Sequence, residues 1–526
     1  MITKLQENYS KEGLDGYIIP SHNQWFYHSN LLKDISSFSG SFGLLIVTNE
    51  NLIFFTDSRY LLQAKDELPE GTLILDSHEP SSCEVLEGLE GKKLGIDPKL
   101  FTEKEIHYYE KFGIIIVEKK LFAEEKREKS QITQLPIEIT GLSREEKLQL
   151  ILEELPSELD YFLIEDPASL AWLLNIRARD LPHSPLLLGY AILDCTNHKI
   201  KLFTTSSQIL DGIEILPLNA LEEHLNPEKI YGLTRVTRYF AKKLPKILEI
   251  KDPTLPLRAK KNPTEIKGMK EAQKRDTLAF KKFTTWLEEM KKTGQIFDEL
   301  TVVEKIDQAR QEDPYFISQS FAAIAGYGSN GAIVHYHPTR KSNKICQGEI
   351  PILLLDSGGQ YDLGGTTDIT RVFALGEIPE RVKEIYTDLL RGHLALASAV
   401  FPRGTSGGQL EVLARYHLWK KGLDYGHGTG HGVGHFSSVH EGPQAISKKN
   451  QVALEPGMIV SIEPGYYEEG AFGLRIENLY LVIENNNHFL EFELLTRVPL
   501  DTSLINFEKL DDEEKKQLEK FFPAFP

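Results

Sequence analysis

Between Asp424 and Pro443 the chain reads DYGHGTGHGVGHFSSVHEGP. Four histidines, His427, His431, His435 and His440, share this stretch with alternating glycines, Gly426, Gly428, Gly430, Gly432 and Gly434. Histidine is the common metal ligand and titrates near neutral pH. Glycine lets backbone come close to a ligand. A flexible linker would use serine here, not histidine. The glycines never fall in GxGxxG register and no Gly-Lys-Ser/Thr follows, so the loop is not a phosphate cradle. HExxH is absent as well, because Gln444 stands where its second histidine would be. A metal bound here must take its other ligands from elsewhere in the chain.

Two pairs of acidic residues supply them. Glu463 and Glu477 are equidistant from Gly470, inside the turn EEGA. Asp356 and Asp368 are equidistant from Asp362, inside GGQYDLGG. Each spacing predicts two carboxylates facing one another across an antiparallel hairpin, with Cβ atoms about 5 Å apart. Burying four carboxylates is prohibitive unless protons or cations compensate. A cation cluster that includes His431 resolves this. Such an oxygen-rich site suits Mn²⁺ or a similar divalent ion better than a thiolate-loving metal. Two ions about 3.5–4 Å apart hold a bridging water and lower its pKa, giving hydroxide at neutral pH and hydrolysis of an amide or ester.

These residues need strands and helices to hold them. Asn262-Pro263-Thr264-Glu265 combines an N-cap, Pro at N1 and Glu at N3, a helix start. A helical stripe runs from it to Gly294, and a second helix is expected over Thr301–Glu312. Strands are expected at Ile333–Tyr336, Ile350–Asp356 and Thr367–Leu375. Helices near Ile378–Phe401 and Gln409–Gly422 then precede the histidine loop, and strands Met458–Tyr467 and Phe472–Ile483 follow it. Two helix–helix–hairpin halves imply internal pseudo-symmetry. Arg475 shares a strand face with Glu477 and is read as neutralising a carboxylate.

Upstream, an α/β segment carries strands at Leu14–Pro20, Phe42–Thr48, Leu52–Asp57, Lys93–Asp97 and Gly113–Glu118, with a helix at Ser58–Glu67. A charged stretch, Glu124–Lys129, leads to a boundary near Thr140. Leu159–Ile176 then echoes Leu14–Leu31, and a second hairpin follows with its turn at Thr196-Asn197, so residues 140–257 read as a shorter copy of 1–139. Trp172, Arg177 and the LPHSP segment are read as packing, and Asp57 with Arg59 as an interdomain or folding pair. The division is 1–139, 140–257 and 258–526, in keeping with a 526-residue chain that exceeds one core. A net charge of −17 argues against nonspecific nucleic-acid binding, which needs a basic footprint. Three scattered cysteines suit a reducing compartment. With no apolar h-region and no run of membrane-spanning length, the chain reads as cytoplasmic, without a membrane partner.

Several long motifs carry a family resemblance: AIVHYHP, LLLDSGGQYDLGGTTDITR, FPRGTSGGQL, GLDYGHGTGHGVGHFSSVHEGP, LEPGMIVSIEPGYYEEGAFGLRIENL, and upstream AWLLNIRARDLPHSPLLLGYAIL and FTDSRYLLQA. Together they resemble the pita-bread metallopeptidases of family M24, and most of all its long, three-domain Xaa-Pro aminopeptidases. The resemblance runs from near residue 14 to near residue 510. It implies an α/β (α+β) chain with two creatinase-like N-terminal domains and a pseudo-two-fold pita-bread catalytic domain. It implies Asp356, Asp368, His431, Glu463 and Glu477 as ligands of two divalent ions per subunit, Mn²⁺ first, with Co²⁺ or Zn²⁺ as alternatives. His335 is implied to contact substrate or polarise its carbonyl, His440 to handle protons, His427 to line the substrate pocket, and Glu463 also to take the proton of the attacking water. The implied substrates are peptides with proline second, and the implied assembly is a homodimer.

Two departures stand out. The aspartates are twelve apart where the resemblance implies eleven, with the extra residue assigned to the loop. His337 and His435 replace small or neutral residues and take no assigned role. Rival readings are a Xaa-Pro dipeptidase (prolidase), a non-catalytic peptide-binding domain, and a serine hydrolase on Gly404-Thr405-Ser406-Gly407-Gly408. Two upstream domains and five intact ligands disfavour the first two. The helix-like stretch before Gly404, with Ser406 as an N-cap, disfavours the third.

Overall fold

The computed structural model describes residues 1–21, 31–122 and 128–525. The run expected from Leu14 to Leu31 therefore lies outside the described residues over 22–30, and the charged stretch does so over 124–127. The chain forms two compact units. The first comprises Met1–Gln131, Leu152–Asp166 and Leu188–Asp252, and the second Ile132–Ile151, Pro167–Leu187 and Pro253–Pro526.

In the first unit, the described residues form two six-stranded sheets. One runs Leu73–Asp76, Leu52–Thr56, Leu44–Thr48, Gly16–Pro20, Lys93–Ile96, Ile115–Glu118. The other runs Glu214–Pro217, Lys199–Thr204, Gly189–Asp194, Tyr161–Ile164, Tyr231–Leu233, Ile247–Glu249. The order of strands along the chain is the same in both. So are the directions: the first three strands of each half-sheet hairpin are antiparallel and the outer neighbours parallel. The echo seen in sequence thus corresponds to two sheets of one topology. Gly16–Pro20 is buried along its whole length, as a strand covered on both faces must be. Leu73–Asp76, a short and partly exposed edge strand, carried too little periodicity to be expected. Asp57 and Arg59 pair with each other at 2.7 Å.

The second unit opens with helix α1, Pro263–Thr293. Asn262 accepts from the amides of Thr264 and Glu265 at 2.9 and 3.0 Å, and Glu265 accepts in return from the Asn262 amide at 3.0 Å. Asn262 Nδ2 also donates to the Thr140 carbonyl at 2.8 Å, tying the helix start to the segment before it. Helix α2, Glu299–Gln311, follows. Strands β1 (Ile324–Tyr327), β2 (Ile352–Ser357) and β3 (Ile369–Ala374) form one antiparallel sheet. Helices α3 (Glu380–Ala397) and α4 (Gly407–Trp419) repeat the helix pair. Strands β4 (Ile459–Ile462), β5 (Gly465–Glu468), β6 (Phe472–Arg475) and β7 (Asn478–Glu484) complete the second half. The apolar faces of α3, α4 and both hairpins meet in one core that includes Leu354, Val372, Leu389, Leu410, Val460 and Tyr480.

Three local expectations need correction. Ile333–Tyr336 is not a strand. It is a turn, with the Tyr336 amide on the Ile333 carbonyl at 3.1 Å, held in place by side chains: Arg475 reaches the Val334 carbonyl at 3.4 Å, and the Tyr336 hydroxyl donates to buried Glu299 at 2.8 Å. The two long strands after the histidine loop are each broken in two: at Glu463-Pro464, where proline cannot donate within a ladder, and at Ile476-Glu477, where the Glu477 amide donates to the Thr370 carbonyl at 3.3 Å. Their register nonetheless agrees with a turn centred on Gly470, with Gly465 opposite Arg475 and Ile462 opposite Asn478. The other hairpin is not centred on Asp362. Asp356 faces Thr370, and Tyr361 faces Gly365 around a three-residue turn in which Gly364 has φ +95. The pairing is shifted by two residues, and a shift of two keeps every side chain on its face.

Removing the cap on α1 tests this architecture. Asn262→Ala should destabilise the second unit by about 1–2 kcal/mol, and Asn262→Ser, which keeps an acceptor, by less. Urea unfolding followed through the fluorescence of Trp286 against that of unit-one probes measures both.

Candidate active site

The acidic residues sit where the two hairpins are interrupted. Asp356 is in β2, and Asp368 immediately precedes β3. Glu463 follows β4, and Glu477 precedes β7. His431 lies in the short strand Gly430–His431, paired with Ala445–Ile446. Gly430 is needed at that position, since a Cβ there would lie 1.9 Å from the Ser461 carbonyl oxygen. The absent side chain lets the loop backbone lie directly against β4.

These elements bring six side chains together. Ligand atoms of Asp368, His431 and His440 lie within 4.8 Å of one another, as do those of His431, Glu463 and Glu477, and those of Asp356, Asp368 and Glu477. The three groups share members, so the six form one continuous constellation. His431 Nε2 is 3.4 Å from Asp368 Oδ2 and 3.5 Å from Glu463 Oε1. Its Nδ1 donates to the Gly432 carbonyl at 2.9 Å. That bond fixes the tautomer and turns the Nε2 lone pair toward the carboxylates. The His440 ring stands 4.3 Å from that of His431, at 81°.

Three of the four carboxylates have one oxygen tied to the protein. Arg475 Nη2 donates to Asp356 Oδ2 at 2.6 Å, Thr370 Oγ1 to Glu477 Oε2 at 2.7 Å, and Ser461 Oγ to Glu463 Oε1 at 3.2 Å. Asp356 Oδ1 and Glu477 Oε1 are buried with no hydrogen-bond partner among the described residues. Burial, reinforced by Asp356 and Glu463, pushes the Asp368 carboxyl well above its usual range. Glu477 is pushed up well above its own by burial and then by Asp368, Glu463 and Asp356. Burial also raises Glu463, against the opposing pull of His431 and Arg475. Crowded anionic oxygens lacking donors, next to an oriented imidazole lone pair, form a donor set that divalent cations fit and that protons alone satisfy poorly.

His427 and His335 are not members of these groups. His427 is buried, and both its ring nitrogens have protein partners: Nδ1 donates to the Gly428 carbonyl at 2.7 Å, and Nε2 meets the Tyr467 hydroxyl at 2.9 Å. Arg475 donates to that hydroxyl at 2.7 Å and to Asp356. His427 is thus joined to the constellation through Tyr467 and Arg475. His335 is half-buried and follows Val334, whose carbonyl accepts from the same arginine. His337 Nδ1 donates to the Ala323 carbonyl at 3.2 Å. His435 is buried 3.8 Å from Glu265, and burial with nearby Arg177, Lys147 and Lys261 holds it neutral. Ser406 forms a capping box with Gln409 at the start of α4, and helix α3 precedes it, so it lacks the strand–turn–helix setting of a nucleophile elbow.

Thr370, Ser461 and Tyr467 were not singled out in the sequence. The signal was there for the first two. Thr370 is two residues from Asp368 and Ser461 two from Glu463, which puts each on its carboxylate's face of an otherwise apolar strand.

Comparison with known proteins places this geometry. The Metallopeptidase family M24 description matches residues 267–484, and the Creatinase/Prolidase N-terminal domain matches twice, over 1–114 and 123–265. Xaa-Pro aminopeptidase 1 of Dictyostelium discoideum is 36% identical, over 98% of this chain and 90% of its own length. The chain belongs to the Xaa-Pro aminopeptidases of metallopeptidase family M24. A probable Xaa-Pro aminopeptidase P of Laccaria bicolor is 32% identical over 99% of this chain and 88% of its own. The crystal structure of X-prolyl aminopeptidase from Caenorhabditis elegans, described as a cytosolic enzyme with a di-nuclear active site, superposes with a TM-score of 0.91 at 28% identity. It covers 99% of this chain and 94% of that one. As in this family, two creatinase-type α/β domains precede a pita-bread catalytic domain. Among the described residues, no helix is long and apolar enough to cross a membrane.

The raised carboxyls carry a pH signature for chelator-treated protein. An acid whose folded pKa is raised binds its proton more tightly when folded. Its contribution to stability is therefore full below the unfolded value of about 4 and is lost as pH rises. Asp368→Asn should melt above the parent chain at pH 8, and the gap should close toward pH 4. Thermal melts across that range check it.

Proposed function

We propose that the chain is a metal-dependent aminopeptidase that hydrolyses the bond between an N-terminal residue and a following proline. The observation that carries this reading is the convergence of three buried carboxylates, half-buried Glu463 and one oriented imidazole, two of the carboxylate oxygens without donors, in a chain related over nearly its full length to Xaa-Pro aminopeptidases. Asp356, Asp368, His431, Glu463 and Glu477 are the proposed ligands of two divalent ions per subunit, Mn²⁺ by preference with Co²⁺ or Zn²⁺ as alternatives. Bound there, such ions supply Lewis-acid polarisation of the scissile carbonyl and acidify a water.

The chain's own residues do the rest. Glu463 takes the proton of the attacking water on a carboxylate oxygen, steadied by the Ser461 hydroxyl. A Xaa-Pro bond is a tertiary amide without an N–H, so the leaving proline nitrogen must receive a proton. His440, whose side chain is exposed beside His431, can deliver it. His335 contacts the substrate or its carbonyl, and His427, braced by Tyr467, shapes the pocket wall. Arg475 holds Asp356 in place through its 2.6 Å bond to Oδ2.

The wider reading includes the division at 1–139, 140–257 and 258–526, a homodimeric assembly and a cytoplasmic location. Three domains in this order are supported by family matches over 1–114, 123–265 and 267–484, the second of which begins ahead of residue 140. The location is supported by the cytosolic C. elegans relative.

Full-length protein loaded with Mn²⁺ should cleave a Xaa-Pro-Yaa tripeptide, lose that activity with a chelator, and regain it on readdition of metal. Hydrolysis of the Xaa-Pro dipeptide alone would make the protein a prolidase, and turnover undiminished by the chelator would remove the metal from the reaction. His440→Ala should lower kcat by about 10²–10⁴-fold, measured by steady-state kinetics with the metal content matched to that of the parent.

A further inference from the structure

Arg177 is one of the buried cations that the catalytic reading leaves unused. Arg177 lies in the two-residue strand Ile176–Arg177, which pairs with Thr133–Gln134. Both segments come from the sequence upstream of α1 yet belong to the second compact unit. The residue is 5% exposed. Its guanidinium serves main-chain carbonyls: Nη1 donates to Ala171 and Ile176 at 3.1 and 2.8 Å, Nη2 to His435 at 2.7 Å, and Nε to Phe436. It also lies over the Phe436 ring, 5.6 Å from the centroid. Burial draws its pKa down to about 10, against Glu265 and Glu441, which leaves it charged at neutral pH.

The two carbonyls it grips from outside its own segment form the tip of one turn. Phe436 has φ +46, a conformation a bulky side chain adopts only when its surroundings impose it. On either side the loop closes on itself, with the Gly434 amide donating to the Ser438 carbonyl at 3.0 Å and the Glu441 amide to the Gly432 carbonyl at 2.8 Å. Glu441 is locked in turn by Lys261 at 2.6 Å and Arg258 at 3.2 Å, all three buried. His431 enters this loop and His440 leaves it. The His431 end has its own anchors, the pairing with Ala445 and the 3.0 Å bond to Ser461. The His440 end is tied through its neighbour Glu441, and the turn between the two histidines closes the span from one ring to the other.

We propose that Arg177 is a positioning residue: by holding the carbonyls of His435 and Phe436 it sets the turn that presents His440 beside His431. The catalytic centre is therefore completed by sequence lying upstream of the M24 match. The proposal rests on the proton-handling role given to His440 above.

The test uses the full chain with Mn²⁺. Arg177→Lys keeps the charge but cannot reach both carbonyls with a planar fork. It should lower kcat at least about 10-fold, with KM within about 3-fold, because a small misplacement of a catalytic group acts on the transition state. Amide hydrogen exchange should accelerate over residues 433–441 and stay unchanged in β2 and β3. Titration of Mn²⁺ into metal-free protein should keep the parent stoichiometry. Added guanidinium should restore part of the kcat of Arg177→Ala. A kcat within about 2-fold of the parent, or exchange that accelerates equally throughout the second unit, would reduce Arg177 to ordinary packing. Should the parent chain fail to cleave Xaa-Pro peptides, the proposed function falls, and exchange over 433–441 still decides the clamp by itself.

Discussion

The mutual repulsion of four carboxylates in a buried site governs this molecule. Leaving water costs each ion several kcal/mol even after the protein relaxes, and proximity adds to that cost. The fold answers only part of it. Arg475 neutralises Asp356 directly, and Thr370 and Ser461 each give one hydroxyl to Glu477 and Glu463. What remains is a set of oxygens held in place by rigid strands with their inner lone pairs unmet. That residual demand is what makes the site a receptor for cations.

Rigidity is the second requirement, since groups that repel one another will part if their backbones allow it. The acidic residues are therefore placed where paired strands stop, not in free loops. Thr370 has a double duty: it accepts from Arg475 Nε at 3.0 Å and donates to Glu477, so the two hairpins are coupled by one hydroxyl. The histidine loop has only the short pairing of Gly430–His431 with Ala445–Ile446. Beyond that it is held by ion pairs and carbonyl clamps drawn from segments upstream of α1, pieces of which belong to the catalytic unit.

The balance between pattern and packing differs along the chain. The start of α1 was legible because capping chemistry is local: Asn262, Pro263 and Glu265 carry the whole signal. The Glu463–Glu477 pairing was legible because the turn around Gly470 is tight and its register continues through both strand breaks. The aspartate hairpin was read two residues out, since a loop with glycines on both sides offers several centres of similar merit. The face survived the error because strand periodicity is two. Ile333–Tyr336 failed for another reason. A short apolar run looks like a strand, but the partners of its backbone and side chains, Arg475 and Glu299, lie far away in sequence.

Residue identity and spacing were sufficient for the chemistry: hard oxygen ligands, an imidazole, candidate proton carriers and the folded-back strands that pair them. These are short-range properties, set by side-chain type and by the periodicity of strand and helix. The chain's fold in space was needed to show which oxygens have donors and which do not, that His427 reaches the centre only through Tyr467 and Arg475, and that Arg177 belongs with the catalytic loop. The contacts of Arg475 with Asp356 and of Arg177 with His435 and Phe436 join residues more than a hundred positions apart, and no local pattern encodes a contact whose two halves meet only when the core closes around them.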